Sequence, residues 1–185
     1  MLSLKITLLK RILVLCVPLF LYTNIALGDA GAARNLVNAD SVEFGISGKW
    51  DLDPDDRTVS YLRLTLGYFL WDGHEIGIKS LFGVDERGYR DHKGIFYEWN
   101  WINGTEFLPY TGIDFMHAAP PDDSTDDKDS RYTSVFFGSK YMLAANAALA
   151  LQYQIDYTAS GNVFGPRGNR TKRNREINLS IRIYK

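Results

Sequence analysis

Three histidines, His74, His92 and His117, are the side chains of this sequence best suited to proton transfer near neutral pH. Only His117 has the company a catalytic base needs. Asp114 stands three positions before it, and Ser124 and Ser130 lie in the polar stretch that follows, so base, orienting carboxylate and nucleophile types fall close together. The competing reading makes His117 a polar residue at the end of a strand, and no catalysis is the expectation. His92 sits beside Asp91 in a polar link, and His74 follows the tight turn Asp72-Gly73.

Charged clusters offer binding rather than reaction. Asp122, Asp123, Asp126, Asp127 and Asp129 could gather a divalent cation, but they lack the spacing and the glycine of an EF-hand loop, so a solvated acidic loop is expected. Asp51, Asp53, Asp55 and Asp56 are read the same way. A basic counterpart, Arg167, Arg170, Lys172, Arg173 and Arg175, is suited to phosphate groups or to the acidic loop. The one cysteine, Cys16, falls in an apolar leader, so no thiolate site is available beyond it. No metal site and no cofactor are expected.

The elements that must position these groups are strands. In Tyr61 to Asp85, Leu62, Leu64, Leu66, Tyr68 and Leu70 share one parity and Arg63, Thr65 and Gly67 the other; after Asp72-Gly73, Ile76, Ile78, Phe82 and Val84 oppose Gly77, Lys79 and Gly83. That is an antiparallel hairpin with one apolar face. Six further runs follow the same rule: Val42 to Leu52, Gly94 to Ile102, Phe107 to His117, Thr133 to Leu143, Ala147 to Tyr157, and a last run over Ile177 to Ile183. Short turns at Asp72-Gly73, Asn103-Gly104 and Ala144 to Asn146 alternate with longer polar links at Asp53 to Thr58, Asp85 to Lys93, Ala118 to Tyr132 and Thr158 to Arg175.

An even number of strands with alternating short and long connections fits an eight-stranded antiparallel up-and-down transmembrane barrel, in which every backbone group is satisfied between strands. Trp50, Trp71, Trp99, Trp101, Tyr110 and Tyr141 near run ends fit its interfacial girdles. A soluble sandwich or lipocalin-like barrel explains the alternation but not this rhythm, and a lipocalin would turn the apolar parity inward.

The other parity holds Lys49, Arg63, Lys79, Lys140 and Arg182 with Glu43, Asp51, Glu75, Glu98, Asp114 and Asp156. Arg or Lys facing lipid at mid-bilayer costs about 2–4 kcal/mol, so these residues must face the lumen. Near-balanced charge in a barrel just wide enough to be filled by side chains predicts an ion-paired filling, centred on Glu43, Lys49, Arg63, Lys79, Glu98, Lys140, Asp156 and Arg182. A narrow solute pore is the alternative.

Ahead of the barrel, Lys5, Lys10 and Arg11 precede the apolar run Ile12 to Tyr22 and the small residues Ala26-Leu27-Gly28, the pattern of a secretory signal peptide over residues 1–28. That run is too short for the ~20 residues of a spanning helix. Residues 29–40 read as a flexible polar segment and 41–185 as the barrel. A formal charge of −1 gives no global bias towards nucleic acid.

Residues 41–185 resemble the small eight-stranded outer-membrane barrels of Gram-negative bacteria, the superfamily of the transmembrane domain of outer membrane protein A and the opacity-type proteins. The resemblance rests on Gly67-Tyr68-Phe69-Leu70, His74-Glu75-Ile76-Gly77, Leu108-Pro109-Tyr110-Thr111-Gly112 and the tyrosine-rich Leu151 to Tyr157. It implies an exported monomer in the bacterial outer membrane, inserted by the barrel assembly machinery, with outer-membrane lipid and lipopolysaccharide as partners. Such chains usually end on an aromatic residue, whereas this one ends Tyr184-Lys185. Outer-membrane lipid A deacylases carry a His two residues before a Ser, and that pattern is absent here. A lipid A-modifying enzyme built on His117 remains the second alternative to a structural or surface-interaction role.

Overall fold

The computed structural model describes residues 36–49, 60–85, 88–118, 130–160, 163–164, 170–171 and 173–185. The alternating runs become β1 (Val42–Lys49), β2 (Ser60–Trp71), β3 (His74–Asp85), β4 (Gly88–Asn100), β5 (Phe107–Ala118), β6 (Ser130–Ala144), β7 (Ala147–Ser160) and β10 (Arg173–Tyr184). These eight form one closed barrel of antiparallel neighbours, and β8 (Val163–Phe164) pairs with β9 (Arg170–Thr171) in a separate small sheet. The ring closes where β10 meets β1, with Phe44 opposite Ile183 and Ile46 opposite Ile181. Val42 and Lys185 exchange backbone hydrogen bonds of 2.9 Å in both directions, so the ladder runs to the last residue.

Among the described residues the alternation of the runs is kept. Ile78, Ile95, Phe137 and Leu179 are more than half exposed, whereas Glu43, Glu75, Asp114 and Lys140 are fully enclosed. This distribution is the reverse of a water-soluble protein's, whose buried set is apolar and whose charges are outside. It rules out a lipocalin-like apolar interior. No described helix is long and apolar enough to cross a membrane.

Aromatic rings crowd the short-turn end of the outward face. Trp99 and Trp101 lie 4.8 Å apart between ring centroids, His74 stacks on Trp99 at 5.9 Å, and Phe107 packs on Tyr141 at 4.8 Å. Tyr110, expected in this girdle, instead points inward and is buried, because its even-numbered position shares the parity of Asp114. Trp50 lies outside the described residues.

Several strands run further than their apolar pattern does. β4 begins at Gly88, with Asp85 opposite Gly88, so the link expected over Asp85 to Lys93 is largely ladder. β6 starts at Ser130, β7 continues to Ser160 and β10 starts at Arg173. Beyond the apolar belt both faces of a strand can be polar, so the alternation fades while the hydrogen bonds continue. His92 is consequently a buried inward residue of β4 rather than part of a loop.

The short connections also need adjustment. Gly73, at φ 77°, supplies the left-handed backbone of the β2–β3 turn. Asn103-Gly104 sits inside a longer connection over 101–106, where Asn103 Oδ1 accepts from the Thr105 amide at 3.1 Å and hydroxyl at 2.9 Å.

Residues 36–40, assigned from the sequence to the polar segment before the barrel, fold across its short-turn mouth. Val37 is fully buried against Phe69, Leu108, Met142, Ala148 and Tyr184, with Leu36 and Ile102 at the edge. The Gly73 amide donates to Val37 O at 2.6 Å, the Asp40 amide to Phe69 O at 2.9 Å, and the Ala39 amide to Asp72 Oδ1 at 3.1 Å. Leu36 and Val37 are the two large apolar residues of a stretch otherwise small or polar, and the mouth gives them a surface that excludes water. The expected signal peptide, 1–28, and residues 29–35 lie outside the described residues.

Candidate functional site: the charged lumen

Inward parity alone decides which side chains meet. Glu43 comes from β1, Glu75 from β3, Glu98 from β4, Lys140 from β6 and Arg182 from β10, all enclosed in one layer nearer the short turns. Lys140 Nζ lies 2.5 Å from Glu43 Oε2, 2.6 Å from Glu98 Oε1 and 3.6 Å from Glu75 Oε2. Arg182 Nη1 donates to Glu43 Oε1 at 2.5 Å and to Thr65 Oγ1 at 3.0 Å, and its Nε donates to Ser180 Oγ at 3.0 Å. Charge-assisted bonds of this kind are the strong ones in a low-dielectric interior.

The layer is walled by rings. The Lys140 ammonium is 5.2 Å from the centroid of Tyr110, 5.7 Å from Tyr184 and 5.9 Å from Phe69. Glycines supply the volume in which the ionic side chains lie: a Cβ on Gly67 would collide with the Glu75 carboxylate, and one on Gly45 with Arg182 and Thr65. Carboxylate oxygens of Glu43, Glu75 and Glu98 approach within 4.8 Å of one another, a spacing that could close on a metal ion. Here the ammonium of Lys140 contacts all three, so the cluster is built around an internal cation.

A second layer lies towards the long connections. Lys79 Nζ donates to Asp114 Oδ2 at 2.5 Å and sits 4.6 Å from the ring centroid of Phe136. Arg63 pairs with Glu176, whose Oε1 also accepts from Asn178 Nδ2 at 3.0 Å, and Tyr61 OH donates to Asn178 Oδ1 at 2.8 Å. Gln152, Gln154 and Asp156 form a chain along β7, each amide donating to the next oxygen, at 2.8 and 2.7 Å. Still further out, His92 Nδ1 and Tyr132 OH are 2.9 Å apart.

Of the expected lumen residues, Glu43, Arg63, Lys79, Glu98, Lys140, Asp156 and Arg182 are gathered inside; Lys49 is the last residue of β1, and its side chain lies outside the described residues. Glu176 is an addition, missed because the last run was started at Ile177. Stepping back by two from Asn178 would have reached it. In the basic cluster, Arg173 and Arg175 are exposed on β10, with Arg173 5.3 Å from the Tyr157 ring, and Arg170 belongs to β9. Arg167, Lys172, Ser124 and the acidic stretches of Asp51 to Asp56 and Asp122 to Asp129 lie outside the described residues.

The catalytic constellation considered for His117 does not assemble. Three positions apart in a strand means opposite faces: His117 is exposed on the outward side, while Asp114 is enclosed in the lumen with Lys79. Asp114 therefore cannot orient the imidazole.

No protein-family model matches the chain, and no curated protein matches it. Among solved structures it is similar to the N-terminal β-barrel domain of Pseudomonas aeruginosa OprF, at 17% identity and a TM-score of 0.57, over 80% of this chain and 98% of that one. It is similar also to Neisserial surface protein A, at 14% identity and a TM-score of 0.50, over 78% of this chain and 94% of that one. The fold is thus that of the small eight-stranded outer-membrane barrels, as the sequence resemblance implied.

Proposed function

We propose that this chain is an integral protein of the bacterial outer membrane, with a structural or surface-interaction role, whose lumen is sealed by ion pairs rather than open to solutes. The observation that carries this reading is the enclosed position of Lys140 between Glu43, Glu75 and Glu98, where side chains of four strands meet across the bore. An open pore would need that layer to part, leaving buried charges unpaired. The exposed apolar belt is suited to lipid, and the aromatic girdle to its interface. In this reading the short turns face the periplasm, the chain works as a monomer delivered by the barrel assembly machinery, and the arginines of the last long connection meet lipopolysaccharide phosphates. The opposite facing of His117 and Asp114 supports a non-catalytic role.

Planar-bilayer recording of the refolded protein tests the sealed lumen. Little or no steady conductance is expected. Reproducible stepwise channels would replace this reading with a narrow solute pore.

A further inference from the structure

Three nitrogen-bearing side chains stand shoulder to shoulder outside the lumen. In the ladder Lys93 of β4 lies opposite His117 of β5, and His117 opposite Arg131 of β6; all three are exposed on the outward face. Directly opposed side chains have Cβ atoms roughly 4.5–5.5 Å apart, close enough for donors on adjacent strands to meet one acceptor group. One alternation closer to the short turns, the next outward row is Ile95, Phe115 and Thr133, with Tyr157 beyond, and Ile95 and Phe115 are both more than half exposed. A groove of about 560 Å³ crosses the two rows, with Lys93, His117 and Arg131 above and Ile95, Phe115 and Tyr157 below.

The cationic row is local. Followed through the ladder in the other direction, the position of Lys93 continues into Ser80 of β3, Leu64 of β2 and Ile46 of β1, none of them charged. Among the described residues one carboxylate shares the patch: Asp91 pairs with Lys93 at 2.7 Å, at a site where the lysine is 70% exposed. Among the described outward residues of the two rows the cations are Lys93 and Arg131, and His117 between them adds ring nitrogens.

We infer that this groove is a docking site for a phosphorylated glycolipid of the outer leaflet, lipid A, resting on the outer-membrane reading given above. A phosphate over an apolar belt is what the two rows complement: its oxygens accept from Lys93 and Arg131, while acyl chains lie along Ile95 and Phe115. A lipid without the phosphate would keep only the lower row. The groove is separate from the arginines of the last long connection.

The test uses the full chain refolded in detergent, checked for heat-dependent gel mobility and vesicle incorporation, and titrated by native mass spectrometry with bis-phosphorylated hexa-acyl lipid A and with its phosphate-free counterpart. The wild type should prefer the phosphorylated lipid by about tenfold or more. Lys93→Gln with Arg131→Gln should lose most of that preference, and Lys93→Arg with Arg131→Lys should keep it. Equal binding of both lipids by wild type overturns the site without touching the membrane reading. So does a preference lost in Arg173→Gln with Arg175→Gln but kept in Lys93→Gln with Arg131→Gln, which would assign phosphate recognition to β10 alone. Failure to enter vesicles at all would overturn the membrane reading itself.

Discussion

Glu75 and Glu98 are direct cross-strand partners in β3 and β4, both enclosed in the lumen, and the ammonium of Lys140 lies against both of them. Two carboxylates placed opposite each other destabilise a ladder. The arrangement therefore depends on a cation from elsewhere in the ring, and β6 supplies it. Neither glutamate can be understood from its own hairpin.

Removing that cation should be costly. Lys140→Met leaves Glu98 and Glu75 enclosed without their counter-charge, and the loss of one partner from a buried ion pair costs about 3–5 kcal/mol. Adding Glu98→Gln to the same protein should recover part of the loss, since one of the orphaned charges is then gone. Urea titration of the protein refolded in vesicles measures both. A Lys140→Met variant as stable as wild type would mean that the layer is not assembled around Lys140.

The segment across the short-turn mouth should move independently of the barrel. Val37→Asp places a charge among Phe69, Leu108 and Met142, which disfavours the docked position. Hydrogen exchange should then quicken at the amides of Gly73 and Asp40, which donate to Val37 O and Phe69 O. Amides in the middle of β6 and β7 should stay protected. Unchanged exchange at Gly73 and Asp40 would show that Val37 does not hold the segment down.

The inside and outside of the barrel were legible because period two is a strong signal wherever one face is apolar. Glu43, Asp114 and Lys140 could be assigned inward from their neighbours alone, and they are inward. Legibility failed where both faces become polar. There the pattern gave a loop for Asp91 and His92, but the β3–β4 ladder continues to Gly88, and Glu176 was lost at the start of the last strand for the same reason. Partnership within the lumen was not legible either. Which carboxylate meets Lys140 depends on register around the whole ring, so three strands distant in sequence converge on one ammonium. The docking of Val37 was hidden because two apolar residues in a polar stretch carry no period.

An apolar face towards lipid and an ionic face towards the lumen meet at two adjacent residues of β10. Leu179 is more than half exposed and Ser180 faces inward, near Arg182 and opposite Ser47 and Ala150. An arginine at Leu179 should cost about 2–4 kcal/mol near mid-bilayer. At Ser180 a new guanidinium must displace Arg182 from Ser180 Oγ but finds the carboxylates of the lumen as acceptors, so the cost should be smaller than in lipid. The measurement is folding into lipid vesicles followed by urea titration of Leu179→Arg and Ser180→Arg side by side. Leu179→Arg should be the more damaging; a clear margin in the opposite sense would mean that the assigned faces are reversed and that the apolar surface does not meet lipid.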